Sequence, residues 1–527
     1  MVWSRRVRTR RWGGLVVLLG VAGALPVREP IGPPPVVPRE FRAAWVSPIS
    51  DLGVRDWPSA PGLTADSQRA ELTALLDRAK DIGLNAVILH VRMAADAMYP
   101  TRLAPWAVFL SGKSGVAPTP AYDPLAFAVN EAHTRGLQLH AWFNPFRAML
   151  PSFTGKASPT HVTRTHAGWV RRYGTQQWLD PGEPAVRASA IEAILDVVRR
   201  YDVDGVHLDD YFYPYREQRS ITRRVGRRRV HIKRDIPFPD DRTWKKYGKA
   251  RGWSDRDAWR RANIDDFVAT LYREVKRIRP TVLVGVSPFG IWRSGTPRGV
   301  TGLDAYGEIY ADSRRWLAEG WVDYLAPQLY WRLDGAEDRF RALDAWWRAH
   351  NPQGRHLWPG LYTSRVYARS EAWPMAEIPA QIETIRDARN GSTDAPGHIH
   401  FRLGALVADH DALGATLAGG AYTDRAIVPP SPWLGGATPA APVILPLDAD
   451  GSPALAITPG DSIVVRWWLV QARGRDGRWT TTVQPAGKGT LAAGAFGTDD
   501  PDEVAITAIG VTGIAGAATV IDLQTPR

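Results

Sequence analysis

The residues best suited to chemistry fall in one stretch, Tyr201-Asp-Val-Asp-Gly-Val-His-Leu-Asp-Asp-Tyr-Phe-Tyr-Pro214. Strand side chains alternate between faces. If His207 points into a central mouth, Asp209 and Tyr211 point with it, while Val206 and Leu208 face outward. Asp210 lies where strand gives way to loop and could also turn inward. A carboxylate there could be a nucleophile, a general base, a stabiliser of an oxocarbenium-like centre or a metal ligand. Hydrolysis of a glycosidic bond commonly takes two carboxyl groups. Asp209 is one candidate, with Asp210 or Asp312 as its partner. Asp312 opens a predicted helix, however, where an acid is commonly an N-cap.

Three histidines, His90, His140 and His207, lie on separate apolar stretches and could converge on a metal or hydrogen-bond a polar ligand. The sequence has no HExxH, and its one HxH, His398-Ile-His400, lies early in its stretch, away from the expected site. It also lacks a Gly-x-Ser-x-Gly elbow and a P-loop. No metal or cofactor is expected.

These residues need a frame, and the chain repeats one from Phe41 to about Leu417: apolar strand, polar loop, amphipathic helix. Eight strands are predicted, at Phe41–Ser47, Asn85–Arg92, Leu137–Asn144, Gly205–Tyr211, Leu283–Gly290, Asp323–Trp331, Leu357–Ser364 and Gly397–Gly404. Alternating strand and helix implies a parallel sheet, and eight units close into an α/β fold, the (β/α)₈ TIM barrel. Active sites of such barrels sit at the C-terminal strand ends. Those ends carry Trp45, Ser47, His90, Arg92, His140, Trp142, Asn144, His207, Ser287, Gln328, Tyr330, Trp331 and Tyr362, as a polar substrate requires. Residues 425–445, rich in Pro, Gly and Ala, read as a linker. Short alternating runs over 446–527 predict a small all-β sandwich of the fibronectin type III kind.

The composition narrows the partners. With 44% hydrophobic and 23% charged residues the chain is neither disordered throughout nor a multi-span membrane protein. No cysteine means no disulfide scaffold, thiolate zinc site or cysteine nucleophile. Tryptophan, at 23 copies, outnumbers tyrosine and phenylalanine, and indole faces are where sugar rings stack. The formal charge of +12 favours anionic partners. Arg216 to Arg234 holds nine Arg or Lys and one acid, a run that could clamp an anionic polymer or simply be solvated. No nucleic-acid-binding motif is present. Five arginines within residues 1–12, the apolar run Gly13–Leu25 and Ala22-Gly23-Ala24 form a secretory signal pattern. Residues 1–24 are therefore expected to direct export to a periplasmic, cell-wall or secreted location, with membrane association only if they stay uncleaved. Residues 25–39 form a proline-rich lead-in.

Over residues 40–420 the chain resembles the glycosyl hydrolase-like 10 family of bacterial extracytoplasmic barrels. The resemblance is carried by Phe41-Arg-Ala-Ala-Trp-Val46, His140-Ala-Trp-Phe-Asn-Pro145, Trp178-Leu-Asp-Pro-Gly182, Asp204-Gly-Val-His-Leu-Asp-Asp-Tyr-Phe-Tyr-Pro214, Ser287-Pro-Phe-Gly-Ile-Trp292 and Asp323-Tyr-Leu-Ala-Pro-Gln-Leu-Tyr-Trp331. The fourth of these also looks like the fourth strand of α-amylase-like barrels, which makes Asp209 the nucleophile or its equivalent. The resemblance implies glycoside hydrolysis, in some members on peptidoglycan glycan strands stripped of peptide, and many members carry a C-terminal fibronectin-like module. The expected reading is an exported glycosidase. Trp142, Trp292 or Trp331 would stack on the glycan, and Arg92, His140, Asn144, His207, Tyr211, Gln328 and Tyr330 would orient it. A non-catalytic glycan-binding barrel and a metal-dependent deacetylase are the rival expectations.

Overall fold

The computed structural model describes residues 33–53, 55–225, 228–335, 338–392, 394–407, 412–449, 452–498 and 501–523. The expected signal segment lies outside them. Among the described residues no helix is long and apolar enough to cross a membrane.

Eight parallel strands form the barrel: Phe41–Val46, Ala86–Arg92, Gln138–Phe143, Gly205–Leu208, Leu283–Val286, Tyr324–Leu325, a seventh in two pieces at His356–Leu357 and Gly360–Leu361, and Gly397–His400. Neighbours in sequence are neighbours in the sheet, and the eighth strand returns to the first from Phe41↔Gly397 to Ala44↔His400. The seventh strand breaks at Trp358-Pro359, where proline lacks an N–H for the ladder. Its first half pairs with the sixth strand and its second with the eighth, which closes the ring. The regular strands are shorter than the sequence pattern suggests, because the chain leaves the ladder where polar residues begin. Beyond the fifth and sixth strands only the bridges Phe289↔Gln328 and Gln328↔Gly360 continue the pairing.

The period-two pattern sorts the core into two layers. Val206 and Leu208, both fully buried, join the cluster between sheet and helices. Phe41, Trp45, Trp142, Tyr324 and Trp358 fill the barrel interior with Ala43, Ala86, Ile88 and Ile399. Burial of each large apolar side chain is worth roughly 1.5–3 kcal/mol. The aromatic filling demands glycine opposite it. A Cβ on Gly285 would stand 1.9 Å from Tyr324 Cζ, and one on Gly205 2.6 Å from His140 Nδ1.

Helices cover the outside, among them Ala65–Ile82, Pro124–Thr134, Pro184–Arg200 and Arg256–Ile278. Thr64, Asp123 and Asp255 cap three of them through side-chain bonds to free N–H groups. After the third strand a small antiparallel sheet of Arg147–Met149, Gln176–Leu179 and Val170–Tyr173 rises at the mouth.

Seven antiparallel strands follow the barrel in sheets of three and four around Trp468, Val470, Leu455, Phe496 and Ile506. The first of them, Val443–Ala449, starts inside the segment expected as linker. This sandwich docks under the barrel. Arg466 pairs with Asp204 at 2.8 Å and with Asp202, just before the fourth strand. Trp433, on the connecting segment, donates its indole N–H to Asp323 at 2.9 Å, just before the sixth. Those are N-terminal strand ends, so the opposite face stays open.

Candidate active site

The open face holds a cleft of about 510 Å³. Its floor and walls come from strand ends and the loops that follow: Trp45, Ser47 and Asp51 from the first, His90 from the second, Trp142 and Arg147 from the third. His207, Asp209, Asp210, Tyr211 and Tyr215 come from the fourth, and Ser287, Gln328, Tyr330, Tyr362 and Arg402 from the later ones.

Asp209 is 4% exposed. Its Oδ2 accepts the Trp142 indole N–H at 3.1 Å and the Asn144 amide at 3.3 Å, while Oδ1 has no protein partner. Burial pushes its pKa up to about 7; nearby Arg147 opposes that and Asp210 adds to it. The proton therefore belongs on Oδ1. Asp210 also turns into the cleft, because the strand ends at Leu208 and strict alternation ends with it. Tyr215 donates its hydroxyl to Asp210 Oδ2, and burial raises this carboxyl as well. Arg147 lies 4.1 Å from the Tyr211 ring centre, a cation over an aromatic face at the cleft wall.

Beneath the cleft a single chain of hydrogen bonds determines two histidine tautomers. Trp45 Nε1 can only donate, so His207 Nε2 accepts at 3.1 Å and Nδ1 carries the proton. That Nδ1 donates to the Tyr324 hydroxyl at 2.9 Å, which donates onward to His140 Nδ1, also at 2.9 Å. His140 Nε2 then donates to Gln138 Oε1 at 3.2 Å. Both imidazoles are neutral; burial lowers His140 to about 4 and His207 well below its ordinary value.

Four cleft-lining residues carry a buried polar atom without a protein partner: Asp51 Oδ2, His90 Nε2, Asp209 Oδ1 and Ser287 Oγ. Buried polar groups are nearly always bonded. Donors and acceptors left free around one cleft suit a ligand rich in hydroxyls. His90 is held ready by Ser47 Oγ at 3.1 Å from its Nδ1 and by the Trp142 ring stacked on it.

Several expected site residues lie elsewhere. Asp312 caps the helix Ser313–Ala318, accepting from Arg315 N at 3.4 Å and from Trp292 Nε1 at 2.9 Å. Neither Asp312 nor Trp292 lines the cleft; the Trp292 ring stacks on Trp346 at 5.7 Å. Trp331 packs behind the sixth strand, edge-on to Phe289 and against Gly290. His140 is fully buried in the hydrogen-bond chain below the floor, so it orients His207 through Tyr324 rather than a ligand. Arg92, 5% exposed, donates to the Asp96 carbonyl at 3.4 Å and stands behind the wall. Asn144, fully buried, does not line the cleft and acts on it through Asp209 and through the Arg147 backbone N–H, which its Oδ1 accepts at 3.0 Å. Among the described residues no three His, Asp or Glu side chains gather as metal ligands. His398 and His400 both bond the Tyr422 hydroxyl on the helix-facing side of the eighth strand, away from the cleft.

Arg147 and Asp51 were not among the expected site residues. Arg147 follows His140-Ala-Trp-Phe-Asn-Pro145 by two positions, and the strand pattern ends before it. Asp51 sits in a loop with no periodicity to give its direction.

The model of the glycosyl hydrolase-like 10 family matches residues 40–374, the stretch that builds most of this cleft. The chain belongs to that family. Among the relatives of this chain, Glycosyl hydrolase YngK of Bacillus subtilis is 35% identical over 420 residues, 78% of each chain. Glycosyl hydrolase DigH of Escherichia coli K12 is 34% identical over 386 residues, 69% of this chain and 82% of its own. Among solved structures, the PgaB (BpsB) glycoside hydrolase domain of Bordetella bronchiseptica covers 72% of this chain and 99% of its own at 15% identity, with a TM-score of 0.44. The glycosyl hydrolase-like 10 match covers most of the barrel, whose open face carries the carboxyl groups.

Proposed function

We propose that this chain is an exported glycoside hydrolase acting on a cell-wall or extracellular polysaccharide, with peptide-free peptidoglycan strands as the first substrate to test. The observation that carries this reading is Asp209: a buried carboxyl at the fourth strand end, its proton on an oxygen with no other partner. A group with a pKa near 7 is suited to hand a proton to a leaving glycosidic oxygen. Family membership supports the same chemistry, and the arginine-rich, apolar N-terminus supports export.

The roles follow from position. Asp209, which the resemblance makes the nucleophile, serves instead as general acid, because burial keeps its carboxyl protonated near neutral pH. Asp210, held by Tyr215, adds to that effect. Asp51 enters from the first loop, three strands round the mouth from the Asp209 strand, and offers a second carboxyl from another side of the bond. Trp45 and Trp142 provide the indole surface, while His90, Ser287 and Gln328 bond sugar hydroxyls. Incubation of the chain with peptide-free peptidoglycan strands should release new reducing ends. Binding without new reducing ends would instead make the barrel a glycan-binding module.

A further inference from the structure

The basic run folds into a two-stranded antiparallel hairpin, Gln218–Val225 paired with Arg228–Asp235. It stands out from the barrel mouth with almost every described side chain exposed, Ile221 being half-buried. Arg219 and Arg234 face each other across one side; Arg224 opposite Arg229, and Lys233 opposite Ser220, occupy the other. Among the described residues these five cations make no ion pair, whereas Arg216 at the root pairs with Asp235 at 3.4 Å. An isolated hairpin is marginal in water, and like charges across a pair destabilise it further. Such an arm is suited to a partner that neutralises it.

Its root identifies the partner. Tyr215, a cleft-wall residue, precedes the hairpin by three positions. Glu217 accepts from Gln176 at 3.2 Å, and Gln176 also lines the cleft. A polymer threaded through the cleft therefore meets the arm as it leaves. Eight extended residues reach about 27 Å. A membrane would engage one face of a hairpin, but here the cations lie on both.

We infer that the hairpin is an electrostatic grip for a carboxylate-bearing glycan strand, holding the polymer outside the cleft while one bond sits within it. The inference rests on the glycan reading of the cleft, and the charges on the arm add the requirement that the glycan be anionic.

The test uses binding, so that it does not depend on turnover. Full-length Asp209→Asn is titrated with peptide-free peptidoglycan strands, native or with their carboxyl groups amidated. A second protein adds R219S, R224S, R229S, K233S and R234S. The grip predicts affinity for native strands at least about tenfold weaker in the five-site variant, a loss that high salt reproduces in the parent. Amidated strands should bind both proteins alike. Equal binding of native strands by both proteins, or none by either, overturns the inference. So does a five-site variant that loses affinity only for phosphatidylglycerol vesicles, the result expected of a membrane arm. Cleavage by the unsubstituted chain is measured separately, so a failed glycosidase reading and a failed grip give different results.

Discussion

Trp142 donates its indole N–H to Asp209 Oδ2 at 3.1 Å while its ring lies flat on His90, the centroids 3.7 Å apart. One aromatic residue thus orients the proposed acid and a sugar-facing imidazole together. The bond favours the ionised carboxyl and so works against burial. Trp142→Phe should therefore raise the Asp209 pKa. The activity limb that falls as Asp209 loses its proton, near pH 7 in the unsubstituted chain, should move to higher pH in the kcat/KM profile. A limb that stays in place or moves down contradicts this coupling.

Asp209 carries a stability penalty that its chemistry explains. Its folded pKa of about 7 lies above the ordinary aspartate value of about 3.9. In acid, below both values, the carboxyl is protonated folded or unfolded and costs nothing. Between the two values the unfolded chain ionises first, so stability is lost as pH rises, and the loss levels off above the folded value. At about 1.4 kcal/mol per tenfold, the penalty is on the order of 4 kcal/mol at mildly alkaline pH. Asp209→Asn should lose activity yet resist urea better than the unsubstituted chain at alkaline pH, with the difference vanishing in acid. Urea midpoints at the two extremes check the sign.

Asp51 should matter to turnover more than to binding. Replacing a second catalytic carboxyl removes about 10²–10⁴ in rate. Asp51→Asn is expected to lower kcat by at least about a hundredfold with little change in KM. A change confined to KM would reduce Asp51 to a substrate contact.

Tyr324 joins the two buried histidines. Tyr324→Phe strands His207 Nδ1–H and leaves His140 Nδ1 without its donor, at a cost of about 1–3 kcal/mol for each unsatisfied group. Thermal unfolding should fall by several degrees, and the His207 imidazole resonances should shift. Unchanged stability would mean the hydrogen-bond chain is not holding the barrel floor.

Much of this was legible in the sequence, for identifiable reasons. The strand cores from Phe41 to His400 follow period-two patterning, which survives wherever one face meets helices and the other an aromatic interior. The sequence pattern places Asp209, Asp210, Tyr211, His207, Trp142, Gln328 and Tyr330 at or beside the strand ends, and these residues line the cleft. Trp331 and Trp292 were misplaced for a reason of chemistry: indole suits a sugar and a core alike, and Trp358 and Trp347 show the core use. His140 was misplaced because the pattern gives a side chain's face but not its height in the barrel. Asp51 lies on a loop and Arg147 on a short strand of the small sheet beyond the barrel pattern, and only tertiary packing decides the direction of either.

The proposed reaction turns on Asp209 cleaving a glycosidic bond. Peptide-free peptidoglycan strands should be incubated with the full chain and, in parallel, with Asp209→Asn, and the products separated by mass. Shorter glycans are expected from the unsubstituted chain alone. Equal shortening by both proteins would contradict the role given to Asp209.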